Sequence, residues 1–165
     1  MRVLHVISEM GSGGAETLVA GMVAAGDEYG WTSAVASGGG HRADTLRAAG
    51  VPTYTVPVAR RSAAGVVKAA AAATRAVHHF RPDIVLAHNV SASVVARLTG
   101  RSPLVTVFHG VADADYPGAA RILRRTSRTV VTVASATAYV RAITLLECPF
   151  TSPSRIWASR SDSPR

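Results

Sequence analysis

Six short apolar runs recur along the chain, with glycine-rich turns and helical patterns between them. Runs that are apolar at nearly every position are typical of strands buried on both faces of a parallel sheet. The pattern predicts strands at about 2–8, 32–37, 53–56, 84–87, 104–108 and 129–133. It predicts helices at about 14–28, 43–49, 62–80, 91–99 and 118–126, and a last helix that begins near Ser135. Ser62 is the expected N-cap of the long helix, and Gly100 is an expected left-handed C-cap.

This alternation of strands and helices predicts an α/β fold. We expect a doubly wound, mainly parallel, Rossmann-like sheet of about six strands in a single domain that spans residues 1–146. Residues 147–165 are rich in serine, proline and arginine and follow neither period. They predict an irregular, disordered tail.

Glycines and polar residues follow several of the predicted strands. Ligands bind such sheets outside the carboxyl ends of the strands, so these residues are expected at one ligand-binding edge. They are Gly13-Gly14, Gly38-Gly39-Gly40, His88-Asn89, His109-Gly110 and Ser135.

The glycine loop 11–14 joins the first strand to the first helix and predicts an anion-binding corner, because the first amides of a helix lack internal partners. The alternative is a tight turn without a ligand. Glu16 stands where a dinucleotide fingerprint needs a small residue, and no acidic residue ends the second strand. Both departures argue against a nicotinamide site. Glu16 also suits the positive end of the helix dipole.

The histidines divide by position. His5 lies inside an apolar strand and is expected to be a satisfied core residue. His109 directly follows a strand and is the stronger functional candidate; His88 is either functional or part of the core. His78 and His79 are expected to cap the end of a helix. The histidine spacings match no common metal site, so no metal is expected. Asp113 and Asp115 follow His109 and either act in chemistry or only form turns.

The net charge of +8 comes from 17 arginines and the single lysine, Lys68. Such a charge suits phosphate-bearing ligands, anionic membranes or nucleic acid, but no nucleic-acid motif is present, so no nucleic-acid partner is expected. A run of arginines at helical spacing forms either a solvated face or a contact with an anionic membrane or phosphorylated acceptor. Its members are Arg121, Arg124, Arg125 and Arg128.

A single cysteine, Cys148, excludes an internal disulfide and fits a reducing compartment. No secretory signal or apolar stretch of spanning length is evident. These features predict a cytoplasmic protein, with a peripheral location at the inner membrane face left open.

Four segments occur in a characteristic order: Arg2-Val3-Leu4-His5-Val6-Ile7, Gly13-Gly14-Ala15-Glu16, Arg81-Pro82-Asp83-Ile84-Val85-Leu86-Ala87-His88 and Val107-Phe108-His109-Gly110. Together they resemble the N-terminal, acceptor-side half of family-4-type retaining glycosyltransferases of GT-B architecture, over about residues 1–146. The resemblance implies a glycine loop near the donor's phosphates, a cleft-lining role for His109, and no cofactor besides a nucleotide-diphospho sugar as donor substrate.

From the resemblance and the edge residues together, we expect a glycosyltransferase half that transfers a sugar with retention to an unknown acceptor. His109 is the expected catalytic residue. Substrate and phosphate binding is expected from Gly13, Gly14, Glu16, His88, Asn89 and Gly110.

Members of the family carry a second Rossmann-like domain that binds the donor. The resemblance fades after about Ala142, so we expect a chain truncated before that domain, with little or no turnover alone; a frameshift or premature stop is one hypothesis. The alternative is a non-catalytic remnant or binding subunit that needs a separate donor-binding chain. A nucleotide-sugar or nicotinamide epimerase-like domain is disfavoured because such a domain needs a Tyr-x-x-x-Lys pair. The only lysine is Lys68, and Ala64 stands where the tyrosine would be.

Overall fold

The computed structural model describes residues 1–58, 62–100, 102–109, 116–126 and 129–132. Strands and helices alternate through these residues, as the apolar pattern predicts. The strands are β1 (Arg2–Val6), β2 (Thr32–Ser37), β3 (Thr53–Thr55), β4 (Ile84–Ala87), β5 (Leu104–Phe108) and β6 (Thr129–Thr132). The helices are α1 (Gly14–Ala25), α2 (His41–Ala48), α3 (Ala63–Phe80), α4 (Val90–Thr99) and α5 (Tyr116–Thr126).

The six strands form one sheet in the order β3-β2-β1-β4-β5-β6, and every pairing is parallel. The order reverses beside β1, because β2 and β3 extend the sheet on one side and β4 to β6 extend it on the other. This confirms the doubly wound sheet and places its switch point between β1 and β4. Ligands of such folds bind above that point, at the carboxyl ends of the strands.

Alternate residues of β1 pack into different layers of the core. Leu4 and Val6 belong to a large apolar cluster with residues of α3 and α4. Val3 and Ile7 belong to two smaller clusters that include α1 residues. Since side chains alternate across a strand, His5 lies on the α1 side of the sheet, between Val3 and Ile7.

The helix ends follow the expected capping chemistry at two positions. The Ser62 hydroxyl accepts a hydrogen bond from the Gly65 amide (3.1 Å), and Gly100 ends α4 with a φ of 67°. The end of α3 differs from the prediction. Arg81 adopts a left-handed φ of 51°, and the guanidinium of Arg2 donates two hydrogen bonds to the Phe80 carbonyl oxygen.

His79 therefore does not cap α3: its Nδ1 lies 2.9 Å from the hydroxyl of Tyr54 on β3. The prediction of capping was wrong for this residue because a distant arginine already serves the helix end. Only tertiary folding brings Arg2 to α3.

The element boundaries shift by one or two residues at several places. β1 ends at Val6 rather than residue 8, and α1 ends at Ala25 and continues as a 3-10 turn over Gly26–Tyr29. Three helices, α2, α4 and α5, begin one or two residues earlier than expected. The predicted last helix near Ser135 and the tail 147–165 lie outside the described residues, as do Asp113 and Asp115.

Candidate functional site

The site lies at the carboxyl ends of β1, β4 and β5, which are adjacent in the sheet. Ser8 follows β1, His88 and Asn89 follow β4, and His109 follows β5. The N-terminus of α1 opens at the same edge because α1 follows β1. The parallel order thus brings together the ends of three segments that are far apart in sequence.

Helix α1 begins at a bare glycine. Gly13 is the N-cap in an extended conformation, and its missing side chain means that no side-chain hydrogen bond caps the helix. Gly13 and Gly14 are exposed, and an added Cβ on Gly14 would meet no described atom within 4 Å. Unpartnered first-turn amides and the helix dipole favour an anion at such an end. The predicted anion-binding corner thus has an exposed, uncapped helix end, and anion binding there stays a prediction.

Glu16 lies on the first turn of α1, half-buried, with its carboxylate folded over Gly13. A Cβ at position 13 would meet only the end of the Glu16 side chain, which could rotate away. The negative charge of Glu16 also raises the pKa of the His109 imidazole against a larger lowering caused by burial. Glu16 therefore links the end of α1 to His109.

The glycine turn 38–40 braces the loop between β1 and α1. Gly38 donates its amide to the Ser8 carbonyl oxygen (2.9 Å), and the Met10 amide donates to the Gly39 carbonyl oxygen (2.8 Å). A Cβ on Gly38 would lie 2.8 Å from the Ser8 carbonyl oxygen. The sequence pattern placed this turn at the ligand edge, and the structure shows it packed against the loop that carries Gly13.

The side-chain amide of Asn89 makes two hydrogen bonds. Its Oδ1 accepts a hydrogen bond from the Ala92 amide at the start of α4 (2.8 Å). Its Nδ2 donates to the Ser8 hydroxyl (3.0 Å), so it joins α4 to the end of β1. Ser8 was not singled out by sequence reasoning, and its only signal was its position directly after an apolar strand.

Three histidine rings form a row across the ends of these strands. His5 Nδ1 lies 3.1 Å from His88 Nε2, and His88 Nδ1 lies 3.3 Å from His109 Nε2. The rings meet edge to edge, with centroids 5.4 Å apart and planes inclined by 24° in the first pair, and centroids 5.6 Å apart and planes inclined by 21° in the second. Parallel pairing of β1, β4 and β5 produces the row, which sequence reasoning did not foresee.

Exposure differs along the row. His5 is fully buried, His88 is 1% exposed, and His109 is half-buried. Burial lowers the pKa of His5 to about 4, and burial together with the neighbouring histidines lowers the pKa of His88 well below its usual range. The three rings are thus neutral near pH 7.

His5 is a core residue, as expected, but it is not satisfied. Its Nε2 is buried and has no hydrogen-bond partner among the described residues. His88 faces His5 and His109 rather than solvent, so burial does not favour a direct contact between His88 and a ligand. Of the row, His109 alone lies partly open at the edge; Gly110, the next expected site residue, lies outside the described residues.

Two further candidate features are a groove and the arginine-bearing helix α5. An open groove of about 370 Å³ lies between β3 and α3 and is lined by residues that include Tyr54, Arg75 and His79. On α5, Arg121 and Arg125 are exposed; the side chain of Arg124 and all of Arg128 lie outside the described residues. Within the described ranges, no group of three or more His, Cys, Asp or Glu side chains is arranged to hold a metal ion. None of the described helices is both long and apolar enough to cross a membrane.

Comparison with known proteins adds family and fold. A family model described as a glycosyl transferase 4-like domain matches residues 13–145. No curated protein sequence matches the chain at a significant level.

Solved structures share the fold at low sequence identity. HepE from Anabaena, in complex with UDP and glucose, is 20% identical with a TM-score of 0.61; the match covers 86% of this chain and 41% of HepE. The lipopolysaccharide outer core galactosyltransferase WaaB is 12% identical with a TM-score of 0.66, covering 87% and 42%. A UDP-GlcNAc 2-epimerase from Neisseria meningitidis, bound to UDP-GlcNAc, is 19% identical with a TM-score of 0.56, covering 79% and 39%. The match spans less than half the length of each of these proteins.

Proposed function

Because the chain belongs to the glycosyl transferase 4-like domain family, we propose that it forms the acceptor-side half of an enzyme that transfers a sugar, with retention, from a nucleotide-diphospho sugar. The chain is a GT-B N-terminal domain in fold. In this proposal the second wall of the cleft is a donor-binding domain, supplied by further sequence or by a separate chain.

One observation carries the proposal: the uncapped N-terminus of α1 and the partly open ring of His109 lie at the same edge, and Glu16 on the first turn of α1 interacts electrostatically with His109. A helix end of this kind suits the phosphates of a leaving nucleoside diphosphate, whose negative charge grows as the glycosidic bond to phosphate breaks. The amides that follow Gly13 would stabilise that charge. His109 would bind a hydroxyl near the reacting carbon.

Glu16 restricts how an anion can enter. Its carboxylate now lies over Gly13, where it interacts favourably with the helix N-terminus by about 0.3–1 kcal/mol. A diphosphate that binds there must displace it by side-chain rotation. The displaced carboxylate can accept a hydrogen bond from a hydroxyl of the sugar or acceptor, since it already lies near His109.

The isolated chain is expected to bind a nucleoside diphosphate weakly. One helix terminus supplies at most about 2 kcal/mol. A dissociation constant near 1 mM already requires about 4 kcal/mol, so the missing contacts must come from the other wall. By the same reasoning the chain alone should show little or no turnover, because it cannot orient two substrates.

A binding subunit without activity of its own is the second candidate. The incomplete coverage of the related structures favours keeping it, since the match spans 41% of HepE. The likeness to 2-epimerases reflects the fold, whereas the family model points to glycosyl transfer. Transfer activity that appears only when a donor-binding chain is added would separate an enzyme half from an inert subunit.

Membrane contact through α5 remains part of the proposal. Arg121 and Arg125 are exposed one helical turn apart. They would attract the headgroups of an anionic bilayer and bring the cleft near a lipid-borne acceptor. Sedimentation with anionic and neutral vesicles tests this.

The test of the nucleotide site is an amide NMR titration of the 165-residue chain with UDP. We expect shifts at Gly13, Gly14 and Ala15, with a dissociation constant well above 1 mM, since about 2 kcal/mol corresponds to roughly 30 mM. Gly14→Val should abolish them, because a side chain there would fill the space in front of the helix end. Gly21→Val is the matched control: Gly21 is exposed on the same helix, and a Cβ there also meets no described atom within 4 Å.

Two results would contradict the nucleotide site. One is a titration whose shifts map to the groove between β3 and α3, around Tyr54 and His79, instead of to α1. The other is sub-micromolar binding by the chain alone, since that affinity would require a complete site.

A further inference from the structure

The contacts within the histidine row also restrict which ring nitrogens carry protons. A neutral imidazole carries one N–H, which donates, and one bare nitrogen, which accepts. His88 uses both ring nitrogens, one toward His5 and one toward His109. The N–H of His88 must therefore point at a bare nitrogen of one neighbour, and the bare nitrogen of His88 must accept from the N–H of the other. As a result, both hydrogen bonds of the row run in the same direction.

Only two arrangements satisfy both contacts. In the first, each ring carries its proton on Nδ1, so His5 donates to His88 and His88 donates to His109. In the second, each ring carries its proton on Nε2, and every donation runs the opposite way. The choice decides what His109 presents to the cleft: an Nδ1–H donor in the first arrangement, or a bare, basic Nδ1 in the second. The surroundings of the two ends of the row decide between the arrangements.

The buried end favours the first arrangement. His5 Nε2 is sealed from solvent and has no partner among the described residues. In the second arrangement this nitrogen would carry a buried N–H without an acceptor. Orphaned buried N–H groups are rarer in proteins than under-satisfied acceptors, and an unsatisfied buried donor costs about 1–3 kcal/mol. A bare nitrogen is therefore the better occupant of this position.

The open end favours the same arrangement independently. The carboxylate of Glu16 is near enough to His109 to favour its protonated form. His109 Nε2 already faces His88, so Nδ1 is the His109 nitrogen that lies outside the row. This attraction supports the first arrangement, in which the nitrogen outside the row carries the hydrogen.

We propose that His5 and His88 are positioning residues that hold His109 in the Nδ1–H tautomer, so that His109 acts in the cleft as a hydrogen-bond donor and not as a base. The ligand group that fits this donor is an acceptor oxygen, such as a hydroxyl or phosphate oxygen. Its assignment to a glycosyl donor or acceptor rests on the proposed function, whereas the tautomer is a property of the free chain.

The sealed end also explains why the row does not relay protons outward. Shifting every proton to the opposite nitrogen would place an N–H on His5 Nε2, where no described acceptor awaits it. Adding a proton to His109 would instead create a cation beside the buried ring of His88. Both routes are unfavourable, which leaves hydrogen-bond donation as the chemistry available to His109.

The experiment is ¹⁵N NMR of the full chain labelled at the histidine rings, read through the two-bond couplings between ring protons and nitrogens. We expect His88 and His109 to show a protonated Nδ1 and a bare Nε2. Isolated neutral histidine prefers the opposite form, so this pattern would not arise by default. The exposed rings of His41 and His78 are internal controls and should show averaged tautomers. An Nε2–H form or averaging at His109 would overturn the proposal.

A pair of variants tests the role of His88. His88→Gln retains one acceptor and one donor and should keep the His109 spectrum unchanged. His88→Leu removes both and should release His109 into tautomer averaging like that of His41. An unchanged His109 spectrum in a folded His88→Leu chain would refute the positioning role; if that variant does not fold, the wild-type spectrum still decides the tautomer.

The tautomer measurement and the UDP titration can fail independently of each other. A protonated Nδ1 without UDP shifts at α1 would refute the nucleotide site and leave the tautomer standing. Normal UDP shifts with an Nε2–H form of His109 would refute only the tautomer.

Discussion

Single alanine substitutions in the glycine turn 38–40 can distinguish two reasons why these positions are glycine. One is a lack of space for a Cβ, and the other is a left-handed backbone φ. Gly38 has no left-handed φ, but a Cβ would lie 2.8 Å from the Ser8 carbonyl oxygen. Gly39 has a φ of 105°, but a Cβ would meet no described atom within 4 Å. Gly40 combines both, with a φ of 126° and a Cβ 2.5 Å from the Met10 carbonyl oxygen. The turn therefore contains one crowded glycine, one strained glycine and one that is both.

The magnitudes follow from this division. Gly39→Ala should lower the free energy of unfolding by the strain alone, about 1–3 kcal/mol. Gly40→Ala should add the displacement of the Met10 carbonyl, which accepts the Arg42 amide at 3.1 Å, and so lose about 1 kcal/mol more. Gly38→Ala should cost about 1 kcal/mol through its hydrogen bond to Ser8. A loss of about 4 kcal/mol at Gly40 would be a large share of the stability of a small domain.

The assay is urea unfolding at pH 7 followed by circular dichroism, with the slope of the transition checked for constancy. Gly50→Ala is a further control, because Gly50 has a φ of 85° with no described atom within 4 Å of an added Cβ, and it lies away from the β1–α1 loop. Equal losses at Gly39 and Gly40 would refute the close-approach argument. An ordinary surface substitution changes the free energy of unfolding by about 0.5 kcal/mol or less. A change no larger than that in Gly40→Ala would refute both the strain and the close-approach arguments.

Two further predictions concern stability. Ser62→Ala removes the side-chain cap of α3 and should lower the free energy of unfolding by about 1 kcal/mol in the same urea assay, whereas the exposed Ser91→Ala on α4 should change it little. The second concerns acid. Burial lowers the pKa of His5 from its ordinary 6.5 to about 4, so the unfolded chain binds more protons between these values. The contribution of His5 to stability should be full above about pH 6.5 and fall by about 1.4 kcal/mol per pH unit as the pH drops toward 4, and the lowered pKa of the buried His88 adds a loss of the same sign. Unfolding curves across that window should be less steep in pH for His5→Leu, and an unchanged pH dependence in that variant would contradict the assignment.

Much of the fold could be predicted from local sequence. The apolar runs predicted all six strands, because a strand buried on both faces must be apolar at nearly every position. Ser62 and Gly100 were recognisable as caps, because capping depends on chemistry within one helical turn. The boundaries were less secure where the deciding contact is distant, as at the end of α3, where Arg2 and not His79 meets the Phe80 carbonyl oxygen.

The candidate site divides in the same way. Gly13, Gly14 and His109 could be selected from the sequence, since each follows a strand that ends at the edge where parallel sheets bind ligands. The hydrogen bonds that hold the neighbouring residues of the site in place could not be predicted from the sequence. The bond between Asn89 and Ser8 joins residues 81 apart, and the contact between His5 and His88 joins residues 83 apart.

The sequence by itself determined that six strands and their helices would form a parallel sheet with glycine and histidine at its carboxyl edge, because hydrophobic period, turn residues and caps act over a few neighbouring residues. Only the tertiary structure decided that β4 lies between β1 and β5. That order lines up three histidines across separate strands and seals one end of the row in the core. The tertiary structure also left Nε2 of His5 without a described partner and the ring of His109 half-buried at the edge. Strand order is set by how whole layers pack and not by any local run of residues.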